Sequence, residues 1–200
     1  MQWLIGVDEA GRGALAGPVC VGAVLYPPDF NWKEVFSLIT KRGEPKLRDS
    51  KQLSAQQRDI LFAHITEHGR LRHASAFVEA EVIDSIGISN AAREAAAVAV
   101  QRLGIGPSRV KVLLDAGLSV SSEWEQESFI RGDENIPAIA FASIVAKVTR
   151  DTHMEELAET HGGYGFAAHK GYRTLVHRVA IRKHGMLPFI HRKTFLTAFA

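Results

Sequence analysis

QWLIGVDEAGRGALAGPVCVGAVLY, residues 2–26, decides the fold class of this chain. It holds two short apolar runs rich in β-branched residues, residues 2–8 and 18–26, separated by glycines and a proline. Such runs predict two strands of one sheet. Residues 70–78 predict a third strand. Residues 109–115 predict a fourth, nearly all apolar before a terminal acid, as expected for a strand covered on both faces.

Three helices are expected between and after these strands. Ser54 and Gln57 form a capping-box pattern that starts the first helix, which ends near Gly69. Its apolar stripe consists of Ile60, Leu61, His64 and Ile65. The other two run from about Asn90 to Leu103, closed by Gly104, and from Pro137 to about Thr160, before Gly162 and Gly163. This order of elements predicts an α/β fold with a mixed sheet.

The composition excludes several classes of protein. The chain has 200 residues, of which 46% are hydrophobic and 23% charged, so it can bury a core. No uncharged apolar stretch approaches the roughly 20 residues that cross a bilayer, and no basic region precedes the apolar residues of the N-terminus. The single cysteine, Cys20, excludes an intramolecular disulfide and a Cys-rich zinc site. We expect a cytoplasmic monomer without membrane contact.

The charge is unevenly distributed along the chain. Residues 161–200 hold seven of the 24 Lys and Arg residues and no acid. Residues 1–160 therefore hold the other 17 bases and all 22 acids. This pattern predicts a principal domain over 1–160 that collects cations and a small, basic C-terminal region over 161–200 that faces a polyanion. A solvated basic surface without a ligand is the alternative.

Carboxylates stand at the ends of two predicted strands. Asp8 and Glu9 follow the first strand, and Asp115 ends the fourth. Successive strand residues point to opposite faces, so Asp8 and Glu9 serve one site only if the chain turns there, and the following Ala-Gly-Arg-Gly supplies a turn. Acids gathered in this way repel one another unless a hard cation binds them, and oxygen ligands favour Mg²⁺ or Mn²⁺.

The glycines after the first strand have the wrong spacing for a dinucleotide-binding loop. Gly11, Gly13 and Gly17 form G-x-G-x-x-x-G, and Pro18 begins a strand where the helix of that motif would continue. Open backbone N–H groups and the charge of Arg12 suit a phosphodiester backbone. A glycine hairpin without a ligand is the alternative.

Four ordered motifs together resemble ribonuclease HII, the type 2 ribonuclease H family. They are Gly6-Val-Asp-Glu-Ala-Gly-Arg-Gly13, Asp49-Ser-Lys51, Ala142-Ser-Ile-Val-Ala-Lys-Val-Thr-Arg-Asp151 and His169-Lys-Gly-Tyr-Arg-Thr174. The resemblance implies a ribonuclease H-like fold, in which a central mixed sheet is flanked by helices and followed by a small C-terminal helical region. It also implies an endonuclease that cuts the RNA strand of RNA–DNA hybrids, including single ribonucleotides embedded in duplex DNA, during DNA replication and repair.

The resemblance also assigns roles to individual residues. Asp8, Glu9, Asp115 and Asp133 would bind the metal and be catalytic. Gly11-Arg12-Gly13 would contact the ribose 2′-OH and nearby phosphates, and Tyr172 would pack against the sugar at the RNA-to-DNA junction. Lys51 and Lys147 match family positions near the nucleic-acid backbone. The histidines at 161, 169, 177, 184 and 191 have no metal-ligand spacing, so we expect surface histidines.

Phosphodiester hydrolysis by two metal ions about 3.5 to 4 Å apart, giving a 5′-phosphate, is the mechanism that this set of residues favours. A metal-dependent phosphatase or phosphotransferase is one alternative, although the basic C-terminal region argues against a small substrate. A non-catalytic nucleic-acid-binding module is the other. Clustered carboxylates argue against it, because they weaken polyanion binding unless metal intervenes.

Overall fold

The computed structural model describes residues 2–40 and 50–196, and within them a five-stranded sheet forms the centre of the fold. Its strands are β1 (Trp3–Ala10), β2 (Val19–Tyr26), β3 (Arg72–Val78), β4 (Val110–Asp115) and β5 (Glu125–Phe129). The spatial order is β3-β2-β1-β4-β5. β1 and β3 pair antiparallel with β2, whereas β1 with β4 and β4 with β5 pair parallel. The sheet is therefore mixed, as predicted.

Helices flank the sheet. In the described ranges they are α1 (Trp32–Ser37), α2 (Ala55–Glu67), α3 (Ala80–Ile86), α4 (Ile88–Arg102), α5 (Gly132–Asn135), α6 (Pro137–Thr160), α7 (Phe166–His169), α8 (Leu175–His184) and α9 (Lys193–Leu196). The predicted capping box forms at α2, and Pro137 occupies the first turn of α6. None of these helices is both long and apolar enough to cross a membrane.

Two apolar layers cover the two faces of the sheet. On one face the alanine-rich α4 packs against residues such as Ile5 and Val21, and on the other α6 packs with α1 and α2. A Cβ on Gly6 would lie 2.0 Å from the carbonyl carbon of Ala138. A Cβ on Gly22 would lie 2.4 Å from the carbonyl oxygen of Ala142. Glycine in β1 and β2 therefore lets the backbone of α6 touch the sheet.

Residues 161–196 pack on the segment that joins β1 to β2. Leu15 N donates to Gly171 O at 2.9 Å, Gly17 N donates to Ile190 O at 2.8 Å, and Arg192 N donates to Leu15 O at 2.9 Å. A small apolar cluster supports this contact. It is formed by Ala16 of the joining segment, Met154 of α6, and Tyr164, Phe166 and Ala180 of the C-terminal region. The C-terminal helices are thus fixed beside the loop that follows the first strand.

The sequence prediction missed several elements and misplaced one residue. It missed β5, a polar edge strand whose residues Glu-Gln-Glu-Ser-Phe carry no apolar alternation, because an edge strand is protected by charge rather than buried. It also missed the short helices α1 and α3. Ile60 was wrongly placed in the buried stripe of α2: its side chain is 41% exposed, whereas Leu61 and Ile65 are buried.

Candidate active site

The sheet opens where β1 and β4 separate. Their parallel pairing runs from Trp3–Val110 to Val7–Leu114, after which β1 continues beside β2 alone. Asp8 and Asp115 are the next residues of the two strands, so their side chains start side by side at the fork. The expectation that Asp8 and Glu9 follow the strand was wrong, since β1 extends to Ala10.

Three carboxylates meet at this fork. One oxygen each from Asp8, Glu9 and Asp115 lies within 4.8 Å of the others. The Glu9 N–H, no longer opposite β4, donates to Asp8 Oδ1 at 2.7 Å. Gly132 N donates to Asp115 Oδ1 at 2.9 Å. The three carboxylates thus meet where β1 and β4 stop pairing after Val7, and not at a turn after Asp8.

The electrostatics of the cluster suit a divalent cation. Burial, followed by the charges of Glu9 and Asp115, raises the pKa of Asp8 well above its usual value. Burial also raises the pKa of Glu9, against the lowering effect of Arg12. Glu9 Oε2 is buried and has no hydrogen-bond partner among the described residues. Mutually repelling oxygens with an unsatisfied buried lone pair fit a hard ion such as Mg²⁺ or Mn²⁺.

Asp133 lies near the three carboxylates but outside their 4.8 Å group. It is buried in α5, directly after the Gly132 N–H that binds Asp115, and its charge contributes to the raised pKa of Asp8. Lys51 Nζ lies 3.7 Å from Asp133 Oδ2, with the Lys51 side chain 72% exposed. Asp49, from the same motif as Lys51, lies outside the described residues.

The glycine turn follows the carboxylates directly. Gly11 has a φ of +88°, and Ala14 N donates to Gly11 O at 3.2 Å, which closes the turn. Arg12 donates to Glu9 Oε1 at 3.2 Å and to Ser89 Oγ at 3.0 Å. Gly13 is exposed, and a Cβ added there would meet no atom within 4 Å. The surface over Gly13 is therefore open to a ligand.

Tyr172 lies half-buried between two cations. Lys147 Nζ is 5.7 Å and Arg150 Cζ 5.3 Å from the centre of its ring. Lys147 also donates to Asp151 Oδ1 at 2.6 Å, so Asp151 pairs with Lys147 and not with the neighbouring arginine. The helix after Tyr172 begins only at Leu175, which is 63% exposed. Tyr172 therefore lies in the segment before that helix.

The expectation of surface histidines was wrong for three of the five. His169, His177 and His191 are 9%, 0% and 1% exposed and lie against Phe166. The burial of Arg150 and Arg192, both 0% exposed, was also not predicted. Periodicity gives no signal for these residues, because each is buried by segments distant in sequence.

A mixed five-stranded sheet with carboxylates gathered at the fork of two parallel strands defines a hydrolase of the ribonuclease H type. A family model described as Ribonuclease HII matches residues 5–198. The chain therefore belongs to the ribonuclease HII family and is a ribonuclease H enzyme.

The individual similarities extend over nearly the whole chain. Ribonuclease HII of Coxiella burnetii (strain Dugway 5J108-111) is 41% identical over 192 residues, covering 96% of this chain and 87% of the relative. That of Leuconostoc mesenteroides is 43% identical, covering 96% and 69%. The crystal structure of ribonuclease H2 from Pyrococcus horikoshii has a TM-score of 0.75 and 28% identity, covering 98% and 95%. Ribonuclease HII of Archaeoglobus fulgidus, solved in complex with PCNA, has a TM-score of 0.71, covering 96% and 95%; at 23% identity it supports the fold alone.

Proposed function

We propose that this enzyme is an endonuclease that hydrolyses the RNA strand of RNA–DNA hybrids and cuts at single ribonucleotides embedded in duplex DNA. The observation that carries the proposal is the group of Asp8, Glu9 and Asp115 oxygens within 4.8 Å, directly followed by the open glycine turn. Acids alone would repel a nucleic acid, so their place beside an open backbone surface favours metal-dependent phosphodiester chemistry.

Asp8, Glu9 and Asp115 would hold divalent cations, Mg²⁺ or Mn²⁺, with Asp133 as a fourth carboxylate. When bound, a pair of such ions lowers the pKa of an attacking water and stabilises charge on the leaving 3′ oxygen, which gives a 5′-phosphate product. The residues present support this, since Glu9 Oε2 is buried without a partner among the described residues.

The chain's own residues orient the carboxylates before substrate arrives. Gly132 N–H holds Asp115 Oδ1, and Glu9 N–H holds Asp8 Oδ1. Arg12 holds Glu9 Oε1 at 3.2 Å. Ligands that are fixed in advance need less reorganisation when the charged site is assembled.

Recognition of the substrate is proposed for residues around the carboxylates. The Gly11-Arg12-Gly13 backbone would hydrogen-bond the 2′-OH, the group that distinguishes RNA from DNA at one site. Tyr172 would pack on the sugar at the junction, and Lys51 and Lys147 would contact phosphates.

We propose different roles for the two parts of the chain. Residues 1–160 would form the catalytic domain, and residues 161–200 a basic helical region packed on it that faces the nucleic-acid backbone. The protein would act as a cytoplasmic monomer in the removal of ribonucleotides during DNA replication and repair.

A single gel tests this function. A labelled DNA duplex with one ribonucleotide, the matched all-DNA duplex and an RNA–DNA hybrid are incubated with the protein, with Mg²⁺ or with chelator. We expect cleavage of the two ribonucleotide-containing substrates only with metal, and a 5′-phosphate at the cut. Binding without cleavage would favour a nucleic-acid-binding module. No cleavage of these substrates, together with release of phosphate from a small phosphomonoester in a parallel assay, would favour a phosphatase.

A further inference from the structure

Two arginines are fully buried behind the glycine turn. Arg150, from α6, and Arg192, just before α9, are both 0% exposed. Within residues 2–40 and 50–196, neither guanidinium has a carboxylate oxygen within 4.0 Å, so neither is held by an ion pair. Burial, and then the charge of Arg150, lowers the pKa of Arg192 to about 9. At neutral pH Arg192 is therefore a buried cation.

The partners of Arg192 are main-chain carbonyls of the segment after β1. Its Nε donates to Gly17 O and its Nη1 to Arg12 O, each at 3.0 Å. Nη2 is buried without a hydrogen-bond partner in the described part of the chain. One rigid guanidinium thus binds carbonyl oxygens at both ends of the loop that contains Gly13.

This contact fixes the direction of one amide. In a planar trans peptide, the C=O of one residue and the N–H of the next point in opposite directions. Because Arg12 C=O points inward at Arg192, the Gly13 N–H points outward. Gly13 is exposed, and within the described residues its N–H has no hydrogen-bond partner. A free outward N–H is the group required to bind a substrate oxygen.

Arg150 fixes the same loop relative to Tyr172. Its Nη2 donates to Ala16 O at 3.1 Å and its Nη1 to Lys170 O at 2.9 Å, so one side chain joins the glycine loop to the segment before the tyrosine. The guanidinium also lies 5.3 Å from the Tyr172 ring centre. The two arginines together fix the positions of both proposed sugar contacts, the glycine turn and Tyr172, relative to each other.

We propose that Arg192 is a positioning residue for ribose recognition, which holds the Arg12 carbonyl inward so that the Gly13 N–H faces the substrate 2′-OH. This inference rests on the proposed function of the glycine turn. A buried guanidinium without a carboxylate is costly, and an apolar side chain of similar volume would fill the same space at lower cost. The specific contribution of Arg192 is a planar pair of donors that bind two carbonyl oxygens at once. Lysine cannot reproduce this geometry because its donors radiate from one atom.

The test compares substrates that differ only in the 2′-OH. For wild type and Arg192→Lys, KM is measured on a DNA duplex with one ribonucleotide, and Ki is measured for the matched all-DNA duplex as competitor. We expect Arg192→Lys to raise KM about tenfold, the size of one lost hydrogen bond, while Ki stays within about twofold. A smaller folded fraction would lower the apparent kcat but would change neither constant.

Arg109→Lys is the matched control, because Arg109 is exposed and precedes β4 at the end of the strand opposite to Asp115. It should leave both constants unchanged. An unchanged KM in Arg192→Lys, or an equal rise in KM and Ki, would overturn the inference. If Arg192→Lys is unfolded, Arg192→Gln is measured at low temperature, and loss of folding in both variants would show a purely structural role.

Gly13→Ala separates the inference from the function on which it rests. Its Cβ meets no protein atom within 4 Å, so the variant should keep its fold and lose the preference for the ribonucleotide. If Gly13→Ala keeps that preference, the proposed role of the glycine turn fails. If Gly13→Ala loses it and Arg192→Lys keeps it, only the role of Arg192 fails.

Discussion

His177 Nε2 lies 3.2 Å from His191 Nε2 in the interior of the C-terminal region. The neighbouring bonds fix the proton positions, because Leu187 N–H donates to His191 Nδ1 at 2.8 Å, and His177 Nδ1 lies 3.0 Å from Tyr172 O. His191 must therefore carry its proton on Nε2 and donate it to His177, whose own proton on Nδ1 is donated to Tyr172 O. This chain of bonds requires both rings to be neutral.

Acid should destabilise the protein through this pair. Burial lowers the pKa of His177, and burial together with His177 lowers the pKa of His191 to about 4. Between about pH 6.5 and 4 the unfolded chain binds the proton and the folded chain does not, so stability falls as pH falls. For His191 the loss of unfolding free energy between pH 8 and 5 is about 2 kcal/mol.

Urea unfolding of wild type and His191→Gln at both pH values should show a weaker pH dependence in the variant. An unchanged slope in His191→Gln, or the same reduction in the control His153→Gln, would contradict the pair as its source.

Asp115→Asn should abolish cleavage and leave binding of the hybrid within several-fold. The substitution removes a charged metal ligand, yet the Asn oxygen can still accept from Gly132 N, so the fold should persist. Cleavage and hybrid binding are measured at saturating Mg²⁺. Asp29→Asn is the control. Asp29 forms an ion pair with Arg70 and follows the C-terminal end of β2, which is the end farther from the carboxylates. Activity above about a tenth of wild type would exclude Asp115 as a direct ligand.

Binding of Mg²⁺ or Mn²⁺ should release protons and raise the melting temperature. Burial and mutual repulsion raise the pKa values of Asp8 and Glu9, so the metal-free cluster retains protons that a cation displaces. Titration calorimetry in two buffers of different ionisation enthalpy measures the release, and more protons should be released at lower pH. Equal apparent enthalpies in both buffers, with no change in melting temperature, would argue against a clustered metal site.

Tyr172→Ala should reduce cleavage at a single embedded ribonucleotide at least about tenfold, with a melting temperature within a few degrees of wild type. The ring is half-buried, and among the described residues the hydrogen bonds of Tyr172 use its own main-chain groups: its N–H donates to His169 O, and Thr174 N and the His177 ring donate to its carbonyl oxygen. Tyr172→Phe keeps the ring and should retain most activity. A sharp fall in melting temperature, with equal losses on all substrates, would identify Tyr172 as a core residue instead.

Local pattern was sufficient for the buried elements. The apolar runs at 2–8 and 18–26 became β1 and β2, and Pro137 began α6 as predicted, because such segments are largely apolar and bounded by glycine or proline. The acids beside these runs were visible for the same reason, although Asp8 and Glu9 lie within β1 rather than after it. The polar β5 was not, since its pairing with β4 depends on the neighbouring strand rather than on its own residues.

The sequence by itself determined four of the five strands, the long helices and the identity of the acids that could meet at one end of the central strands. Only the tertiary structure decided that Asp8, Glu9 and Asp115 converge at the fork of β1 and β4 while Asp133 stays outside their group. It also decided that Arg192 reaches the carbonyl of Arg12, 180 positions earlier in the chain. Periodicity records which face of an element is apolar, whereas the burial and hydrogen bonding of a polar side chain depend on segments that only the folded chain brings together.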